Sequence, residues 1–157
     1  MIEGLLNLVK AGLPDGSEVL VLADRGIGCS AELCRAVERL GWHYLFRVTC
    51  QTKLVTPHAD YTIAQQVQPG ESWAASGLAF KQRGHIPAHA RAVWSLGYDE
   101  PWALVTHDQR LTGYEYARRN WQEQSFRDLN SGAWHWHEGL VRLPDHAARL
   151  LVFLVVA

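Results

Sequence analysis

The chain has 157 residues, of which 48% are hydrophobic and 20% charged, enough for one domain with a real core and too apolar for a disordered segment. Fifteen Lys and Arg against sixteen Asp and Glu leave a net charge of -1, which argues against strong autonomous affinity for DNA but not against local basic stripes. Three cysteines (Cys29, Cys34, Cys50) without a C-x-x-C pair read as reduced thiols of a cytoplasmic protein, and the eight-residue apolar run Leu150–Ala157 is too short for a membrane span.

In chain order, residues 2–12 space Leu5, Leu6, Leu8 and Val9 as a short amphipathic helix, which Pro14-Asp15-Gly16 breaks. Residues 18–23 form a continuous apolar run, the pattern of a strand buried on both faces, ending at Asp24-Arg25-Gly26. Ser30 suits an N-cap, and Ala31–Leu40 reads as a helix with Leu33, Ala36, Val37 and Leu40 on one face and Gly41 at its end. Trp42–Val48 is a second strand, so the segment predicts a β-α-β unit with parallel strands.

Residues 49–101 behave differently. Short apolar or alternating stretches (Lys53–Val55, Ser72–Phe80, Arg91–Leu96) are separated by Pro57, Pro69-Gly70, Gly84, Pro87 and Gly97, as in a β-rich insertion. Trp102–Thr106 is a further strand, followed by helical sequence from about Leu111 to Asn130 and a last apolar helix from Pro144 to Ala157. The expected organisation is α/β: a core half in 1–48, an insertion in 49–101, and the second core half in 102–157.

Two features carry chemistry. Asp24 ends a buried strand, the place where open α/β sheets collect ligands, and a carboxylate there suits a hard cation such as Mg²⁺; it is also a common turn former. Tyr116, Arg119, Glu123, Arg127 and Asn130 follow at spacings of 3, 4, 4 and 3, so a helix would present all five on one face. Taken by itself, that stripe also fits a solvated face of ion pairs.

Together, the carboxylate at a strand end, the inserted β segment and the Tyr116-x2-Arg119-x3-Glu123 stripe resemble the DDE transposases of the insertion-sequence-four type. Their signature is Y-x2-R-x3-E-x6-K, and here Asn130 stands in place of the Lys. The text Leu22-Ala-Asp-Arg-Gly26 and Trp102-Ala-Leu-Val-Thr106 also looks like that family, and the resemblance extends over nearly the whole chain.

The resemblance implies an RNase H-like fold interrupted by a β-rich insertion, and DNA cutting and joining by two Mg²⁺ ions about 3.5–4 Å apart held by three carboxylates. It makes Asp24 the second and Glu123 the third of these metal-binding, catalytic carboxylates. Tyr116, Arg119, Arg127 and Asn130 would contact the DNA of transposon ends, with Arg25 adding charge beside Asp24. Trp94, with Trp73 in reserve, would stack on a flipped base.

The first Asp of that family lies on an early strand, yet only 23 residues precede Asp24, so the chain is expected to be a fragment lacking that Asp, inactive alone and marginally stable because residues 18–23 would form an open edge. A non-catalytic remnant that binds intact transposase or DNA as an inhibitor, or pairs as a homo-oligomer, is the alternative. A zinc hydrolase is a remote one. His85-x3-His89 has helical ligand spacing but contains Pro87, and His135-x-His137 lacks a Glu-containing zinc motif. No Gly-x-Ser-x-Gly elbow or phosphate-cradling Gly-rich loop occurs.

Overall fold

Apolar β-branched and leucine-rich runs place β1 (Leu20–Ala23) beside β2 (His43–Arg47), in parallel, with Leu20 opposite His43 and Ala23 opposite Phe46. The helix α2 (Ala31–Arg39) links them. Its start is fixed by Ser30, whose Oγ accepts from the Leu33 N–H at 3.1 Å. Its end is fixed by Gly41 at φ 75°, where a side chain would be strained. Leu33, Cys34 and Val37 turn inward from it. The expected parallel β-α-β unit is therefore present. The computed structural model describes residues 2–80, 84–121, 124 and 127.

The described residues form a mixed α/β structure around one seven-stranded sheet in the order β1-β2-β7-β6-β5-β3-β4. The remaining strands are β3 (Lys53–Val55), β4 (Asp60–Thr62), β5 (Ser72–Ala79), β6 (Ile86–Val93) and β7 (Trp102–Thr106). Every pairing except β1 with β2 is antiparallel. Residues 49–101 are β-rich as expected, and their strands continue the same sheet through β7.

β6 differs from its sequence reading, running from Ile86 to Val93 instead of Arg91 to Leu96, with Pro87 inside it. Pairing of β6 with β7 reaches only to His89, opposite Thr106. At Pro87 that side of β6 is an edge, where a residue without an N–H is tolerated.

Two apolar clusters lie against the sheet. The larger contains Tyr44, Phe46, Leu54, Ile63 and Val105 with Leu33 and Val37 of α2. The smaller joins Leu45, Leu104 and Tyr116 to Leu20, Leu22 and Trp102. β1 thus meets apolar neighbours on alternate residues, which explains its continuous apolar run, although Leu20, Val21 and Leu22 stay half-buried. The helix α1 (Ile2–Gly12) packs Leu6 on the core and is tied to α2 by the Arg39–Glu3 ion pair, while Leu5 and Leu8 remain 60% and 73% exposed.

The helix expected from Leu111 starts later. Tyr114–Arg118 is a 3-10 turn, and α-helical backbone appears at Arg119–Trp121, Gln124 and Arg127. The preceding loop is held in another conformation. Arg91 donates to the carbonyls of Leu111 and Gln109, each at 2.8 Å, and the Glu115 carboxylate accepts from the N–H groups of Thr112 and Gly113. The chain divides into compact units at 1–116 and 117–157. Among the described residues no helix is long and apolar enough to cross a membrane.

Candidate functional site

Asp24 follows the last residue of β1. Its Oδ1 accepts from the Gly26 N–H at 2.9 Å, and its carbonyl accepts from Gly28 N–H at 2.6 Å. The turn-forming and site-forming readings of this residue are therefore compatible: one oxygen shapes the loop that presents the carboxylate. Gly28 holds that loop against the end of β2. A Cβ at this position would lie 2.3 Å from the Arg47 carbonyl oxygen and 2.7 Å from that of Asp24. Cys29 adds a second tie, its Sγ accepting from the Thr49 N–H at 3.3 Å.

The same end of the sheet gathers charge from three segments. Arg25 Nη2 and Arg47 Nη2 lie 2.9 Å and 2.6 Å from Oε1 of Glu100. The Arg25 guanidinium beside Glu100, with Arg47 adding to it, holds the Glu100 carboxyl below its usual range against the opposing effect of burial. Arg47 and Glu100 were not legible as site residues. Each is one charge at a strand boundary, and nothing local shows that residues 53 apart in sequence share a hydrogen bond.

The register brings the aromatic candidates to this end too. Val93 pairs with Trp102, so Trp94 sits just beyond it, and Trp73 pairs with Ala92. Trp94 is half-buried, packs against the larger core, and donates its indole N–H to the Tyr98 carbonyl at 2.8 Å. Trp73 packs its ring against Tyr61 at 5.6 Å. Tyr116 is only 3% exposed and meets Trp102 edge-on at 5.3 Å, which gives its ring a packing role in the smaller core. Arg119 and Arg127 are helical in the second unit, Arg119 half-buried and Arg127 exposed. Glu123, Asn130, His135 and His137 lie outside the described residues.

Among the described residues, no group of three or more His, Cys, Asp or Glu side chains could hold a metal ion. Asp24 offers hard oxygen ligands but belongs to no such group, so these residues do not make a two-metal site by themselves. His89 lies in β6, with His85 just before it, so the pair has no helical ligand spacing.

The opposite end of the sheet is chemically different. His43 and His107 stack with ring centroids 5.3 Å apart, and Tyr44 meets His107 at 4.9 Å. The Asp108 carboxylate comes within 3.1 Å of His43 Nδ1, but off the hydrogen-bond direction. Burial pulls the His107 pKa below 6.5, outweighing the attraction of Glu38. Burial also pushes the Cys34 thiol up to about 12 and the Tyr44 hydroxyl, beside Cys34 and Glu38, well above its ordinary range. A groove of about 670 Å³ opens here, lined partly by Glu38, His89 and His107. On its wall Ser76 Oγ is 2.7 Å from His89 Nδ1, the contact expected of residues directly opposite in β5 and β6. Among the described residues no carboxylate hydrogen-bonds His89, so the pair lacks the orienting group of a nucleophilic triad.

No protein-family profile, curated protein or solved structure matches this chain.

Proposed function

We propose that this chain is part of a DDE-type transposase and acts on the DNA of transposon ends. In this reading β1, α2 and β2 belong to an RNase H-like core, and β3–β6 form its insertion. Asp24 and Glu123 are two of the carboxylates that would hold Mg²⁺. The observation that carries the proposal is the position of Asp24: it stands just past the first of two adjacent parallel strands, with Arg25 and Arg47 at the same end of the sheet. Arg25, Arg119 and Arg127 hold backbone phosphates, with Asn130 assisting, Trp94 offers a stacking surface for an unpaired base, and Tyr116, expected from the resemblance to contact DNA, is buried against Trp102 instead.

The purified chain is expected to bind a short DNA duplex with an affinity that falls steeply with salt, and to leave that DNA uncut in Mg²⁺. Equilibrium binding at several salt concentrations, with a nicking assay alongside, tests both expectations. Salt-insensitive or undetectable binding overturns the DNA reading, whereas efficient Mg²⁺-dependent cleavage overturns inactivity alone.

A second reading, a non-catalytic partner of an intact transposase or of another copy, is favoured by one feature. Among the described residues β1 has no neighbour on its outer side, and α1 exposes Leu5, Leu8 and Val9. Co-expression with an intact relative tests it. Lower transposition supports the inhibitor, and an unchanged rate removes it.

A further inference from the structure

Past the carboxyl ends of β1 and β2, beside Asp24, Arg25 and Arg47 meet on one carboxylate. Two guanidiniums converge on Oε1 of Glu100, and Arg25 Nη1 also donates to Oε2 at 3.2 Å. The Arg47 side chain is 17% exposed, against 51% for Arg25 and 44% for Glu100. A guanidinium held that far from water needs an anion beside it. The oxygens of a phosphate fit two converging guanidinium forks as well as those of a carboxylate do.

Glu100 does not come from a strand of the sheet. It ends the turn between β6 and β7, in which Leu96 is 77% exposed, Tyr98 49% exposed, and Gly97 adopts φ 87°. Arg47, by contrast, is fixed at the end of β2, paired with Leu104, and Arg25 springs from the loop that Gly28 clamps to β2. The cations are anchored and their anion is carried on a surface turn.

We propose that Arg25 and Arg47 form a phosphate-binding site, and that Glu100 occupies it in the unliganded protein as an internal competitor for the phosphate. The identification of that phosphate as a backbone phosphodiester of DNA rests on the transposase reading above. Glu100 then lowers the affinity of the free protein for arbitrary DNA, and binding exchanges one anion for another without leaving Arg47 unpaired.

The test compares the wild-type chain with Glu100→Gln, using a 30-base-pair duplex and, separately, inorganic phosphate followed through the side-chain N–H resonances of Arg25 and Arg47. Glu100→Gln is expected to bind the duplex about tenfold more tightly at low salt and with a steeper salt dependence, because a competing charge is gone. Placing Arg47→Lys in the Glu100→Gln background keeps the charge but removes the fork, and should reverse most of the gain. Circular dichroism checks that each variant is folded.

Tighter binding of both probes supports the phosphate site and its DNA ligand. Tighter binding of inorganic phosphate alone supports the site while removing the DNA reading. Binding of the duplex by all forms with equal affinity overturns the site and leaves the DNA reading standing. Failure of Glu100→Gln to bind either probe overturns the site outright.

Discussion

Past the carboxyl ends of β1 and β2, the polar groups are ionised and matched across long sequence separations, with Arg25 and Glu100 half-exposed and Arg47 held more deeply. At the other end of the sheet, the His43 and His107 rings stack, Tyr44 and Cys34 are fully buried, and burial favours the neutral forms of His107, Tyr44 and Cys34. The difference follows from what covers each end. Solvent reaches Arg25 and Glu100 in their loops, whereas the core withdraws Tyr44 and Cys34 from water. One end can exchange partners cheaply, and the other contributes to the fold.

The largest expected effect separates these roles. Tyr44 is fully buried, so Tyr44→Ala should cost about 3–5 kcal/mol in stability, while Arg25→Ala should change stability by less than about 0.5 kcal/mol. Chemical denaturation of both variants checks the contrast, and comparable losses would dissolve it.

Binding should show the reverse ranking. Arg25→Ala is expected to weaken DNA binding at every sequence and to reduce the magnitude of the salt slope by about 1, whereas His107→Gln leaves both unchanged. Equal losses in the two variants would mean that the charged end is not where DNA docks.

Acid should resolve His107 and Glu100 in separate windows. For His107 the folded pKa is depressed, so the unfolded chain takes up the proton first; stability is full above 6.5 and declines as the pH falls below it toward the folded value. For Glu100 the folded pKa is also depressed, but this acid stabilises while ionised; its contribution is present above 4.5 and lost as the pH falls through the folded value. Unfolding followed from neutral pH to pH 3 should show His107→Gln flattening the upper window and Glu100→Gln the lower.

The smallest effect concerns the thiols. Cys50 is exposed and should be alkylated first, while Cys34, buried and pushed up to about 12, should react only on unfolding. Mass spectrometry of briefly alkylated native protein reads this order directly, and early labelling of Cys34 would show that the shielded end opens to solvent.

The β-α-β unit was legible because each signal was local: an apolar run, Ser30 and Gly41 at the helix ends, and a second run after the turn. The strand-rich character of 49–101 was legible from its punctuation by Pro and Gly. Its continuity with the same sheet was not, since it depends on β7 reaching both β2 and β6. The helix boundary near Leu111 was misplaced because Arg91, some 20 residues away, captures the loop carbonyls that helical periodicity cannot see. At the site, Asp24 was marked by its place after an apolar strand. The burial of Tyr116 was hidden, because a polar stripe at helical spacing looks alike whether its first residue faces water or Trp102.

The two margins of the sheet are unequal. At one, β4 is only three residues long and begins with the exposed Asp60, a poor template for another chain. At the other, β1 presents Leu20–Ala23 without an outer neighbour among the described residues. A sheet with one receptive margin cannot grow without limit by adding copies of itself edge to edge. Antiparallel pairing of β1 with β1 of a second chain would use up both receptive margins and stop at a symmetric pair, so association through this strand would yield a discrete dimer instead of a fibre.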